Sequence, residues 1–151
     1  MAHMEPNDPR YQMMVDQLEI FHGLTSGDVY KIFGKGTTHA ARKDQLIFHK
    51  DTVGNNMFVI LGGKVGVYDG EKQIATLGVG ESFGEMSLLT QEPRSATIKA
   101  LEDSNLFALD ERLFQKLLTK RVAVQMLLNI SRMLGKKVKN ANMLIREMEG
   151  R

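Results

Sequence analysis

Short β-forming segments separated by glycines are the feature that most constrains the fold of this chain. Between residues 38 and 109, runs of β-branched or alternating residues recur, and glycines separate them at positions 54, 62, 63, 66, 70, 78, 80 and 84. Glycine suits turns because it adopts positive φ angles without strain, and many short strands joined by turns are typical of antiparallel barrels and jelly rolls. The predicted strands cover residues 45–48, 57–61, 64–68, 73–77, 96–101 and 105–109.

Helical patterns flank this β-rich region on both sides. Thr25 and Asp28 have the spacing of a capping box, which predicts a short helix through Phe33. Asp110 is placed to cap another helix, and a longer helical pattern follows over residues 122–148. This order of elements predicts an α+β fold: an antiparallel β-roll or jelly-roll barrel, similar to a double-stranded β-helix, with an N-terminal helix and two C-terminal helices.

The length suits one domain with a core of its own, because 151 residues lie in the usual size range of single domains. We divide the chain into an N-terminal helical segment at residues 5–37, the β-roll at residues 38–109, and the hinge and long helices at residues 110–151. Residues 1–4, Met-Ala-His-Met, resemble a vector remnant. Met4 is therefore a candidate native start, and the native protein can be longer than this sequence.

Composition argues against several other classes of protein. No apolar run approaches the roughly 20 residues that cross a bilayer, and no charged-then-apolar leader opens the chain. We therefore expect a cytoplasmic protein without a membrane segment. The absence of cysteine excludes disulfides and thiolate metal sites. His22, His39 and His49 lack the spacing of paired ligands, so we predict no metal site and no cofactor apart from a bound ligand.

One stretch carries the candidate binding site. Residues 83–89 read Phe-Gly-Glu-Met-Ser-Leu-Leu, and residues 93–97 read Pro-Arg-Ser-Ala-Thr. Arg94 lies nine residues after Glu85, and a Gly-Glu turn precedes a very short apolar helix. This pattern lets backbone amides and a guanidinium meet an anion while a carboxylate accepts a hydrogen bond from a hydroxyl. The pairing fits a ribose phosphate.

These residues resemble the phosphate-binding cassette of the cyclic nucleotide-binding domain family. This is the module of bacterial catabolite-activator-type regulators, protein kinase regulatory subunits and cyclic-nucleotide-gated channels. Residues 83–97 fill its pattern, Phe-Gly-Glu-x-Ala/Gly/Ser-Leu, a spacer and Arg-Ala/Ser/Thr-Ala, at every ligand position. Residues 57–65 look like the family's strand and Gly-Lys turn, and the similarity covers roughly residues 18–140. The resemblance implies a β-roll that binds cAMP or cGMP.

The resemblance also implies roles for the cassette residues. Glu85 accepts from the ribose 2′-hydroxyl, and the planar fork of Arg94 binds both free oxygens of the cyclic phosphate. Further phosphate donors are the Ser87 and Ser95 side chains and the amides of residues 84–88, which are expected to be unpaired. Ser95 alternatively reaches the amino group of a syn guanine. The implied ligand-binding residues of the cassette are Phe83, Gly84, Glu85, Met86, Ser87, Leu88, Arg94, Ser95 and Ala96.

Alignment with the family extends the predicted site beyond the cassette. It places Val67, Ile74 and Leu77 beside the base and ribose, although aliphatic residues of a barrel are equally well explained as plain core. Base selection in the family often uses polar side chains of the last helix, and Asn140 and Asn142 are candidates because an amide both donates and accepts. Asparagines on a long helix are also commonly just solvated. The base therefore stays open between cAMP, cGMP and other cyclic nucleotides.

The long helix carries an apolar stripe with steps of three and four residues. Its members are Leu127, Ile130, Leu134, Lys137, Ala141, Leu144 and Met148. Such a stripe is typical of a helix that packs on a partner helix, which predicts a possible homodimer. The alternative is that the stripe covers the chain's own barrel.

The predicted function is a regulatory sensor that binds a cyclic nucleotide and moves its C-terminal helices through Phe114 and Leu117. No enzyme is expected, because Glu85 and Arg94 lack a neighbouring nucleophile and base. Two alternatives are a nucleotide-blind dimerisation or scaffold module, and a sensor cut from a transcription regulator without its DNA-binding domain. The basic bias of residues 132–151 fits a solvated helix face, so this chain alone is not expected to bind DNA. The downstream effector stays unknown.

Overall fold

The computed structural model describes residues 5–117 and 120–150. The predicted vector remnant at residues 1–4 lies outside the described residues, so this prediction stays untested. Two helices and a 3-10 turn precede eight strands, a short helix lies between the sixth and seventh strands, and two helices follow the last strand. Their bounds are α1 Pro9–Gln17, the 3-10 turn Glu19–Phe21, α2 Ser26–Lys35, β1 Thr37–Ala41, β2 Leu46–Phe48, β3 Asn56–Gly62, β4 Lys64–Asp69, β5 Lys72–Gly78, β6 Ser82–Phe83, α3 Met86–Leu89, β7 Thr97–Ala100, β8 Ser104–Asp110, α4 Glu111–Leu117 and α5 Lys120–Glu149.

The strands form two four-stranded sheets. Their orders are β1-β8-β3-β6 and β2-β7-β4-β5, and all described pairings are antiparallel. Phe58 lies opposite Ala108 in the first sheet, and Val67 lies opposite Ile98 in the second. The predicted antiparallel β-roll with flanking helices is confirmed.

All six predicted strands are present, and their ends lie within one residue of the predicted ones. The sequence did not predict β1 and β6. Four of the five residues in β1 are exposed, so this strand lacks the apolar alternation that marks a strand in a sequence. The other missed strand, β6, has only two residues, which is too short for any periodicity.

The N-terminal helices pack against the first sheet. The predicted capping box begins α2: Thr25 Oγ1 accepts from the Asp28 amide at 3.1 Å, and Asp28 Oδ2 accepts from the Thr25 amide at 2.9 Å. On the inner face of α2, the Phe33 ring stacks on Phe107 of β8 with 4.4 Å between ring centroids. This contact fixes the helical layer on the sheet.

Two apolar clusters form the core. The larger one joins α1, α2 and α5 to the first sheet, and it includes Leu88 of α3 and Phe114 of α4. The smaller one fills the space between the two sheets. Its buried members are Ile60, Val65, Phe83, Ile98 and Leu106. Since Phe83 and Leu88 lie in different clusters, the short chain segment between them connects both parts of the core.

The first C-terminal helix begins after Asp110 as predicted, and α5 begins at Lys120, two residues before the predicted start. Asp110 Oδ1 accepts from the Arg112 amide at 2.6 Å at the start of α4. The first half of α5 buries Met126, Asn129, Ile130 and Met133, whereas residues 135–150 are exposed. The first half therefore covers its own domain, and the predicted homodimer stays a prediction. Within residues 5–117 and 120–150, no helix combines the length and apolarity needed to cross a membrane.

Candidate ligand-binding site

A sharp turn places the centre of the site between β6 and α3. Gly84 follows β6 with φ of 73°, in the left-handed region that glycine adopts without strain. Glu85 comes next, and the single turn of α3 begins at Met86. The Ser87 amide donates to the Gly84 carbonyl at 3.1 Å, and the Leu88 amide donates to the Glu85 carbonyl at 3.0 Å. The expectation that these two amides are unpaired is therefore wrong, because the turn itself uses them.

The Arg94 guanidinium is buried beside this turn. Its Nη2 donates to the Asn56 carbonyl at 2.8 Å, and its Nη1 donates to the Gly84 carbonyl at 3.3 Å. Its Cζ lies 4.2 Å from the centre of the Phe48 ring, a cation–π contact. Glycine at two neighbouring positions makes room, because a Cβ at Gly54 or Gly84 would lie 2.5 Å from a guanidinium nitrogen.

In the described part of the chain, Arg94 is a buried cation without a neutralising acid. Within residues 5–117 and 120–150, no ion pair involves Arg94, and its Nε has no hydrogen-bond partner. Burial lowers the pKa of Arg94, because the charged form loses solvation. A buried charge is normally paired, so an unpaired guanidinium with a free N–H marks a place suited to an anion.

Glu85 is the acid of the site, and its partner comes from the long helix. Its side chain is 5% exposed and forms an ion pair with Lys137 of α5, through Oε1 and Nζ. Lys137 Nζ also donates to the Ser82 carbonyl at 3.3 Å. The pair connects the cassette turn to a helix 52 residues later in the chain.

A cavity of about 430 Å³ joins these groups. This volume lies within the range of small-molecule sites. Among the predicted site residues, it is lined by Val67, Leu77, Phe83, Gly84, Glu85, Met86, Ser87, Arg94, Ser95 and Ala96. A buried cation, a buried carboxylate and an apolar wall in one cavity fit a ligand that has an anionic group, a hydroxyl and an apolar face.

Four predicted site residues do not line this cavity. Leu88 is buried in the larger core cluster. Ile74 is 55% exposed, because side chains alternate along β5 and those of Ala75 and Leu77 take the cavity side. Asn140 and Asn142 are exposed on α5 beyond Lys137, the last helix residue that lines the cavity. Their predicted ligand contacts stay predictions.

The cavity is also lined by residues that the sequence analysis did not predict. They are Phe48, Ala75, Glu92, Pro93, Ile98, Leu134 and Lys137. A signal for Lys137 was present, because it is the one charged member of the apolar stripe on the long helix. A polar residue at such a position usually has a specific partner. The Phe48 contact with Arg94 depends on the pairing of β2 with β7, which the sequence does not reveal.

The described residues offer no comparable site for a metal. Within residues 5–117 and 120–150, no group of three or more His, Cys, Asp or Glu side chains is arranged to hold a metal ion.

Similarity to known proteins agrees with this geometry. Residues 38–121 match the sequence profile of the family described as "Cyclic nucleotide-binding domain". The chain is 30% identical over 129 residues to the cyclic AMP receptor protein of Thermus thermophilus, covering 82% of this chain and 59% of that protein. It is 29% identical over 127 residues to a cAMP-dependent protein kinase regulatory subunit of Hypocrea atroviridis, covering 84% of this chain and 27% of that protein.

The fold matches as well. The crystal structure of the Thermus thermophilus catabolite activator protein superimposes with a TM-score of 0.75 at 29% identity, covering 87% of this chain and 63% of that one. The matching region thus spans less than two thirds of each of these relatives. The sequence profile, the relatives and the shared fold agree on one assignment. This chain belongs to the cyclic nucleotide-binding domain family.

Proposed function

We propose that this chain is a regulatory sensor that binds cAMP or cGMP in the cavity between the cassette and α5, without catalysis. The observation that carries the proposal is the buried guanidinium of Arg94, which forms no ion pair with the described residues and lies in the same cavity as the buried carboxylate of Glu85. A cyclic nucleotide offers an anion to the first group and a ribose hydroxyl to the second.

The phosphate is proposed to bind at Arg94. A cyclic phosphate carries one negative charge on two free oxygens, which suits a planar guanidinium. Two of the guanidinium nitrogens donate to carbonyl oxygens, and Nε remains available among the described contacts. Ser87 and Ser95 line the same cavity and offer hydroxyl donors. The phosphate would therefore neutralise a charge whose burial is otherwise costly.

The ribose and base are proposed to bind beside Glu85 and the apolar wall. A carboxylate accepts a hydrogen bond from the 2′-hydroxyl, which discriminates against a 2′-deoxy ligand. Val67 and Leu77 supply apolar surface to the cavity lining, together with Leu134 of α5. The names of two relatives refer to cyclic AMP, so cAMP is the first ligand to test and cGMP the second.

Calorimetric titration of nucleotide-stripped protein with cAMP and with cGMP tests the proposal. We expect binding with a dissociation constant of about 1 μM or below for at least one ligand. Arg94→Ala removes the phosphate partner and should abolish measurable binding. Arg42→Ala is the matched control, because Arg42 is exposed and lies outside the cavity lining. If neither ligand binds measurably, the result would instead favour the nucleotide-blind scaffold module.

A further inference from the structure

The contact between Lys137 and Glu85 links the long helix to the residue proposed to read the ribose. Lys137 Nζ meets Glu85 Oε1 and also the Ser82 carbonyl, so the ammonium bridges β6 and the turn that follows it. The Glu85 side chain is 5% exposed and that of Lys137 is 47% exposed. The carboxylate is therefore the buried member of the pair, and the lysine covers it from the solvent side.

This contact leaves the carboxylate able to accept a second hydrogen bond. An ionised carboxylate has two oxygens and about four lone-pair sites, and Lys137 engages Oε1. A hydroxyl can therefore donate to the same group without displacing the lysine. The lysine fixes the orientation of the buried carboxylate, because a hydrogen bond from a charged donor restricts the rotamers of Glu85.

We propose that Lys137 is a positioning residue for ribose recognition: it holds Glu85 where the carboxylate meets the 2′-hydroxyl, and thereby makes hydroxyl selectivity depend on α5. The inference rests on the proposed binding of a cyclic nucleotide in this cavity. Leu134, one turn earlier on α5, lines the same cavity, so the helix contributes an apolar surface to the cavity and an ionic contact to Glu85.

Two other roles for the pair predict different results. If Lys137 served the phosphate instead, its loss would weaken ribose and 2′-deoxyribose ligands equally. If the pair were a latch that competes with the ligand, its removal would strengthen binding. A positioning role predicts a loss that appears only when the ligand carries the 2′-hydroxyl.

The test compares cAMP with 2′-deoxy-cAMP by calorimetry on wild type, Lys137→Gln and Lys137→Arg, or uses the matching cGMP pair if cGMP is the ligand that binds. We expect Lys137→Gln to weaken binding of the ribose ligand about tenfold and to change binding of the 2′-deoxy ligand by less than about twofold. Lys137→Arg retains a charged donor and should restore part of the selectivity.

Lys139→Gln is the matched control, because Lys139 is exposed on the same helix and lies outside the cavity lining. This variant should retain wild-type affinity for both ligands. Equal losses for the two ligands, unchanged binding, or tighter binding in Lys137→Gln would each overturn the inference and leave the proposed function intact. Failure of the wild type to bind either nucleotide would overturn the proposed function, and the inference with it.

Discussion

Gly84 and Arg94 depend on each other for their conformations. The guanidinium donates to the Gly84 carbonyl, and Gly84 has a positive φ and no Cβ to obstruct Nη1. Gly54 leaves similar room beside Nη2. The location of the buried cation is thus set by backbone that approaches it closely from two sides.

Gly84→Ala is expected to disturb this arrangement. A Cβ would meet Nη1 at 2.5 Å and the Asn56 carbonyl at 3.2 Å, in a backbone conformation that alanine rarely adopts. We expect the free energy of unfolding to fall by about 1–3 kcal/mol, measured by chemical denaturation, and ligand affinity to fall with it. Gly78→Ala is the control, because nothing lies within 4 Å of its Cβ position. Similar losses in both variants would contradict this account.

At the level of residues, sequence reasoning found contacts that are local in the chain. The cassette turn with Glu85 and Arg94 was recognisable because its members lie within 15 residues, and the structure places both side chains at one cavity. The partners of these two residues were not recognisable. Lys137 lies 52 residues from Glu85, and Asn56 lies 38 residues from Arg94. Only the fold brings such distant positions together.

An ion pair connects the first turn of α2 with the start of α5. Both carboxylate oxygens of Asp28 accept hydrogen bonds from Arg121 Nη2, each at 2.8 Å. Asp28 also belongs to the capping box of α2. Burial by itself would raise the pKa of Asp28, but hydrogen bonds from Arg121 and Thr25 outweigh burial and hold the pKa below the ordinary 3.8. A depressed pKa means that the ionised form stabilises the folded state, and that this stabilisation is lost as the pH falls below about 4.

Asp28→Asn is therefore expected to destabilise the protein in a pH-dependent way. At pH 7 we expect a loss of about 1 kcal/mol in the free energy of unfolding, discounted because the Arg121 side chain is 61% exposed. The difference from wild type should shrink as the pH falls below about 4 and through the lowered pKa of Asp28, since the wild-type side chain then becomes protonated. Denaturant titrations at several pH values measure this. A difference constant over pH, or the same loss in the exposed control Asp44→Asn, would contradict the assignment.

At the level of elements, amphipathic periodicity predicted most of the strands and helices. The six apolar strands, α2, α4 and α5 were predicted, because burial on one face leaves a pattern in the sequence. The capped helix α1 was not predicted as a separate element, since the sequence analysis placed one N-terminal helix within residues 5–37. The same periodicity did not tell which surface α5 covers. Its stripe extends from residue 127 to 148, yet Ile130 packs in the chain's own core while Leu144 and Met148 are exposed.

Over the whole molecule, the cassette and the C-terminal helices share a core. Leu88 of α3 and Phe114 of α4 belong to the same apolar cluster, as do Val122 and Met126 of α5. Lys137 adds an ionic contact between α5 and the cassette. A change in the cassette therefore has a packed route to α4 and α5, which supports the proposed transmission of ligand binding to these helices.

Hydrogen exchange with and without saturating ligand tests this transmission. We expect amide protection to change in α4 and in residues 120–137 of α5, by a factor of about 5–150, which corresponds to an ordinary coupling free energy. The Arg94→Ala variant should show no such change under the same conditions. Unchanged protection in the wild type at saturation would show that the helices do not respond to the ligand.

Asn129 connects α5 to the N-terminal helical segment. This buried side chain donates to the carbonyl oxygens of Ile20 and His22, which lie at the 3-10 turn between α1 and α2. Lys136 adds an ion pair with Glu19 of the same turn at 2.6 Å. A tilt of the first half of α5 would therefore either break these contacts or move the 3-10 turn with it. If nucleotide binding moves α5, a spectroscopic label on α1 should therefore change its signal on binding, as a label on α5 does. The conformational change would then reach the N-terminal helices as well as the C-terminal ones.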